Sequence, residues 1–237
     1  MVTTYRTVVG KLNALKNPTK AKFLAGYFKT GEGEYGAGDV FLGLTVPLQR
    51  KIAKDFVDIS FPDIQKLLAS KVHEYRFTAL QILVLKYAGT QSSREKKQVF
   101  DFYLKNRKYI NNWDLVDTSA HEIVGAYLHD KDRSVLYKLA MSKNVWDRRI
   151  AIVATYRFIC NKDFSDTEKI AELLLADNHD LIHKAAGWML REMGKRSRQT
   201  LVDFLAKHYK HMPRTMLRYS IEHFDEGQRK RYLQGLV

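Results

Sequence analysis

EYRFTALQILVL, residues 74–85, places apolar side chains at Ala79, Ile82 and Leu83, and the run continues to Tyr87. Steps of three and four residues are the period of an α-helix, and alternation with period two is hard to find over any useful length of this chain. The stretch recurs as VWDRRIAIVATY (145–156), LIHKAAGWMLRE (181–192) and MPRTMLRYSIEH (212–223). Arg76-x-x-Ala79 returns as Arg148-x-x-Ala151 and, loosely, as His183-x-x-Ala186, at spacings of 72 and 35 residues. These are about two periods and one. The segment from Trp113 to Asp117 falls where the missing copy belongs. Between these helices lie others, such as SREKKQVFDFYLKN (93–106) and DTEKIAELLLAD (166–177). A helix pair every 35 or so residues predicts an all-α, HEAT-like α-α solenoid, a superhelix with a concave basic groove lined by one helix of each pair. We expect one such domain over residues 1–237.

The four prolines, Pro18, Pro47, Pro62 and Pro213, each open a stretch with helical periodicity. Proline fits the first turn, where its missing N–H would have had no partner. Asn17 and Ser60 are placed to cap two of these helices. GEGEYGAGDVFLG (31–43) breaks the pattern with five glycines and reads as a loop. Its resemblance to GxGxxG spacing implies no phosphate loop, because no strand precedes it and no GK[ST] follows.

With 237 residues, 45% apolar and 28% charged, the chain has the balance of an ordinary globular protein. No apolar run is long enough to span a bilayer. The N-terminus MVTTYRTVVGKLNALK lacks the order of a signal peptide, and Cys160 is the only cysteine. Both observations point to the cytosol, or to the nucleoid in a prokaryote. Cys160, in the apolar run YRFIC, reads as a small core residue. Forty Lys and Arg against 26 Asp and Glu leave +14, which favours a polyanionic partner, DNA or RNA before a membrane surface. The histidines form no HExxH and there is no CxxC or GxSxG, so no metal, cofactor or nucleophile motif is expected.

Several residues stand out against this background. Trp113 and Asp117, in NNWDLVDTSAHEIVG (111–125), share a face at i and i+4. Either Trp113 packs in the core with an acidic first turn behind it, or the pair is a working site; Asp114 and Asn112 already suffice for dipole and cap. Lys184, Trp188 and Arg191 lie at i, i+4 and i+7, a basic and aromatic stripe suited to phosphates and sugars, or a core indole edged by cations. In WDRR (146–149), one arginine can pair with Asp147 while the other, of Arg148 and Arg149, faces the groove. A solvated pair is the alternative.

These residues resemble the AlkD-type alkylpurine DNA glycosylases, an α-helical repeat family. The likeness spans nearly the whole chain. It is carried by KNPTKAKFLAGYFK (16–29), FLGLTVP (41–47), NNWDLVD (111–117), NVWDRRIAI (144–152) and KAAGWMLREMGK (184–195). The resemblance implies that Asp117 is the catalytic carboxylate, with Trp113 and Trp188 as cleft tryptophans and Arg149 as the cleft arginine. It puts a cleft tyrosine at Tyr27, and Arg148, Lys184 and Arg191 are the expected further DNA contacts. It also implies that the enzyme grips duplex DNA containing alkylated bases while the damaged base stays largely stacked, so that selectivity comes from the lability of the cationic lesion. A monofunctional, cofactor-free, monomeric glycosylase is expected. A catalytically silent DNA-structure binder on the same scaffold is the alternative, and a protein-binding adaptor is a weaker one.

Overall fold

The computed structural model describes residues 3–237. The N-terminal stretch read above as lacking a leader includes Met1 and Val2, which lie outside the described residues. Regular structure among the described residues is helical, apart from one isolated bridge between Val40 and Val72. None of the helices is long and apolar enough to cross a membrane. The chain forms two compact units, Met1–Ser119 and Ala120–Val237.

The first unit comprises α1 (Tyr5–Asn13), α2 (Pro18–Tyr27), α3 (Val46–Lys54), α4 (Phe61–Leu68), α5 (His73–Gly89), α6 (Ser93–Asn106) and α7 (Trp113–Asp117). Local sequence fixes many of the starts. Asn17 and Ser60 accept hydrogen bonds from the backbone of Lys20 and Asp63 and cap α2 and α4, each followed by proline in the first turn. Helix α5 is the centre of the unit and packs on α3 and α4. Every residue from His73 to Leu83 is buried, so its sequence is apolar on more than one face.

The second unit opens on a π-helical turn, His121–Gly125, three residues after Thr118 caps α7. It continues through α8 (Ala126–Leu128), α9 (Ser134–Ala140), α10 (Val145–Ala154), α11 (Tyr156–Cys160), α12 (Ser165–Leu173), α13 (Asp180–Arg196), α14 (Arg198–His208), α15 (Arg214–Ser220) and α16 (Glu226–Gln234). Here α13 is central, against α10, α14 and α15. Gly187 permits its contact with α15: a Cβ there would stand 2.6 Å from the Met216 carbonyl oxygen and 2.6 Å from the Tyr219 Cβ. The glycine of the KAAGWMLRE stretch is therefore a packing requirement.

The internal repeat has a physical basis. Helices α5, α10 and α13 are capped by Val72, Asn144 and His179. Four residues after each cap stand Arg76, Arg148 and His183. Arg76 donates to the Ser70 carbonyl at 3.0 Å and Arg148 to the Ser142 carbonyl at 2.9 Å, while the His183 ring bonds the Asp177 carbonyl. In each case the side chain clasps the carbonyl six residues earlier and ties the helix to its own entry loop. Seven residues after the caps stand Ala79, Ala151 and Ala186, all fully buried. Helix α7, capped by Asn112, keeps the small buried residue as Ser119 but has Val116 in place of the clasp. In this register Asp117, Arg149 and Lys184 are equivalent, each five residues after a cap.

Candidate active site and nucleic-acid interface

Helix α7 is a single turn whose start is set by Asn112, which accepts from the Trp113 amide at 2.8 Å. Trp113 and Asp117 share a face and both line a cavity of 480 Å³ in the first unit. Both are half-buried, so the carboxylate is neither sealed in the core nor fully solvated. The Trp113 indole is held on three sides. Phe28 stacks on it at 5.2 Å between centroids, Tyr27 meets it edge-on at 6.0 Å, and its Nε1–H donates to the Tyr35 hydroxyl at 3.3 Å. Tyr27 is 56% exposed and stacks on Phe23, which is itself exposed.

The glycine-rich segment is a loop, as expected. Gly33, Gly38 and Gly43 have φ of +77°, +86° and +86°. At Gly43 a Cβ would also stand 2.2 Å from the Asn17 carbonyl oxygen, so no other residue fits there. The loop presents Tyr35 to Trp113. Glu74 fixes its far end: its carboxylate accepts from the amides of Leu42, Gly43 and Leu44 at 2.9, 2.8 and 3.2 Å.

Asp114 does not act mainly on the helix dipole. Its carboxylate meets His73 Nε2 at 2.8 Å, and the other ring nitrogen of His73 lies 3.3 Å from Asp39, which also accepts from Arg76 at 2.6 Å. Burial alone would lower the His73 pKa. The charge of Asp114 and the hydrogen bonds to Asp114 and Asp39 outweigh it and raise the value. Burial would likewise raise Asp39, yet the bonds from His73 and the charge of Arg76 hold it below the ordinary carboxylate range. Behind α7, burial pushes the Tyr103 hydroxyl above its ordinary pKa, and the negative charge of Asp117 adds to the shift.

In the second unit, WDRR departs from the simple reading. Arg148 pairs with Asp177, not Asp147, with Nε 2.5 Å from the carboxylate. Its remaining donors bond the Ser142 and Lys143 carbonyls, so it serves as the loop clasp described above. Arg149 is 5% exposed, and its Nη1 donates to the Leu181 carbonyl. Neither arginine is a solvated pair member. Trp188 is half-buried against Tyr156, with ring centroids 6.3 Å apart. Lys184 and Arg191 line a cavity of 650 Å³ together with Arg218 and Arg229. Lys184 is 2.7 Å from Asp180, and Arg191 pairs with Glu222. Sequence reasoning missed Arg218 and Arg229, which lie outside the stripe on α13, and Phe28, whose neighbour Tyr27 alone was singled out.

Cys160 is a further correction. It is exposed at the end of α11, within 3.3 Å of an Arg196 donor, because it shares the solvent-facing side of that short helix with Arg157, away from the buried Phe158 and Ile159. No group of three or more His, Cys, Asp or Glu able to hold a metal ion occurs among the described residues.

A family model described as DNA alkylation repair enzyme matches residues 8–224. The fold resembles that of a solved structure described as a predicted DNA alkylation repair enzyme from Enterococcus faecalis. The TM-score is 0.68 at 18% sequence identity, covering 89% of this chain and 97% of that one. No curated protein sequence matches.

Proposed function

Because the chain belongs to the DNA alkylation repair enzyme family, we propose that it is a DNA glycosylase. Its reaction is hydrolysis of the N-glycosidic bond of cationic alkylated purines, of the 3-methyladenine and 7-methylguanine type, in duplex DNA. The observation that carries this reading is the half-buried Asp117 carboxylate at a cavity walled by Trp113 and other aromatic rings. Residues 1–237 act as one catalytic domain in it.

An N3- or N7-alkylated purine already bears a positive charge. When the C1′–N bond breaks, the electron pair stays with the base, which leaves neutral and needs no general acid. The sugar becomes oxocarbenium-like. A carboxylate held beside it offsets the developing charge and takes a proton from the incoming water. Partial exclusion of water strengthens the attraction, because the effective dielectric falls. The electron-rich face of Trp113 favours the cationic sugar by about 1–2 kcal/mol, and Trp188 of the second unit offers a further ring face to DNA. Arg149 contributes a fixed positive charge toward phosphate, and Tyr27, Lys184 and Arg191 add contacts to the DNA backbone. Arg148 acts as a structural support rather than a DNA ligand, since its guanidinium is committed to Asp177 and two carbonyls.

The test is base release from duplex DNA containing 7-methylguanine. Asp117→Asn should lower release by roughly 100-fold or more while DNA affinity persists. Release by neither wild type nor variant, with DNA still bound, would mark a catalytically silent DNA-structure binder and sink the enzymatic reading. The enzyme should leave the abasic strand intact, and gel analysis of the product strand without alkali checks this. Lys20, which lines the same cavity, is the amine such a cut would implicate.

A further inference from the structure

We propose that Arg50 is a phosphate clamp for the DNA strand whose sugar faces Asp117, and that Gln81 is the positioning residue that keeps the clamp in register with that carboxylate. This rests on the glycosylase reading for the identity of the strand.

A chain of hydrogen bonds runs from α3 through α5 to the end of α7. Arg50 Nε donates to Gln81 Oε1 at 3.2 Å, Gln81 Nε2 donates to the Thr118 hydroxyl at 3.3 Å, and that hydroxyl donates to the Asp114 carbonyl at 2.7 Å. Each link fixes the next. Thr118 spends its proton on Asp114 and can only accept from Gln81. The Gln81 amide nitrogen therefore faces Thr118 and its oxygen faces Arg50; the reverse orientation would set donor against donor. Gln81 is buried, which keeps the amide in this relay. Thr118 directly follows Asp117, so the guanidinium and the carboxylate are both anchored to one short helix.

Satisfying Gln81 takes one of the five N–H donors of Arg50. The side chain is exposed, and no carboxylate among the described residues pairs with it, whereas Arg76, Arg133, Arg148 and Arg191 each have one. Lys54, one turn further on, is also exposed and also without a carboxylate among the described residues, and α3 contains no Asp or Glu. One turn before Arg50, Val46 lines the cavity that Asp117 lines. From the edge of that cavity α3 thus presents an arginine fork and then a lysine on successive turns. A phosphodiester is the ligand this chemistry takes. Two of its oxygens can meet the terminal nitrogens of a planar guanidinium, and a guanidinium already oriented through Nε loses less freedom on binding than a free one. Because a phosphate is bonded to the sugar it flanks, holding it fixes where C1′ stands relative to Asp117.

The test uses the full chain and a duplex with tetrahydrofuran in place of the damaged nucleotide, which has no base to release. Phosphates around it are replaced one at a time by neutral methylphosphonate, and affinity is read by fluorescence anisotropy. Arg50→Ala should weaken binding of the all-phosphate duplex about tenfold, with an unchanged melting temperature and a salt slope shallower by about one. At one phosphate flanking the tetrahydrofuran, methylphosphonate should weaken the wild type about tenfold and the variant not at all, because both changes remove the same contact. Gln81→Leu keeps the charge of Arg50 but frees its guanidinium. It should leave affinity within about threefold of the wild type and slow single-turnover release of 7-methylguanine about tenfold; an unchanged rate would remove Gln81 from the clamp. Losses from Arg50→Ala and methylphosphonate that multiply at every position overturn the inference, even if Asp117-dependent base release is found. A loss shared at one position, in a protein that releases no base, upholds the clamp and sinks the glycosylase reading instead.

Discussion

At the residue scale the candidate chemistry depends on how tightly one indole is held. Trp113 has Phe28 on its face, Tyr27 on its edge and Tyr35 on its N–H. The first two contacts lie within the range of stacked and edge-to-face pairs. Tyr35→Phe removes only the acceptor, so it should cost about 0.5–1.5 kcal/mol of stability, read from denaturant unfolding, and lower base release more than it lowers DNA affinity. An equal fall in both would mean that the hydroxyl does not position the indole. Trp113 and Asp117 were legible as a pair from their spacing alone, since four residues on a helix share a face. Tyr35 was not, because nothing in a glycine-rich loop announces which side chain it delivers 78 residues along the chain.

At the element scale the repeated helices are built on a clasp. Arg76, Arg148 and His183 each hold the carbonyl six residues back, and Arg148 adds the bond to Asp177. That explains why WDRR reads as a functional motif yet gives its first arginine to the scaffold. Arg148→Ala breaks a largely buried ion pair and leaves Asp177 without that partner. A loss of about 2–4 kcal/mol is expected in denaturant unfolding, with the DNA affinity of the folded protein nearly unchanged. A large fall in affinity without a stability change would return Arg148 to the DNA contacts. Helix α7, which lacks the clasp, ends after one turn and delivers Asp117 at the position that Arg149 and Lys184 hold in later copies.

At the scale of the whole molecule, stability should depend on pH through the buried His73 network. The folded pKa of His73 is raised, so its contribution is fully present below the ordinary value of 6.5 and is lost as pH rises through the folded pKa. Asp39 has the opposite sign: its contribution is present above 3.8 and is lost as pH falls through its lowered folded pKa. Melting temperature should therefore decline on the alkaline side for the wild type, and His73→Gln should flatten that decline. An unchanged profile in the variant would show that another group sets the slope. The network also ties the cavity, through Asp114, to α5.

The sequence by itself determined the all-helical repeat, the helix starts at Asn17 and Ser60, and the pairing of Trp113 with Asp117. All three follow from interactions within a few residues, where periodicity, capping and shared faces operate. Only the tertiary structure decided that Arg148 pairs with Asp177 rather than Asp147, that Cys160 faces solvent, and that the glycine loop carries Tyr35 to the indole. Those outcomes depend on contacts between segments about 30 to 80 residues apart, whose energies are set by burial and by the partner each charge meets.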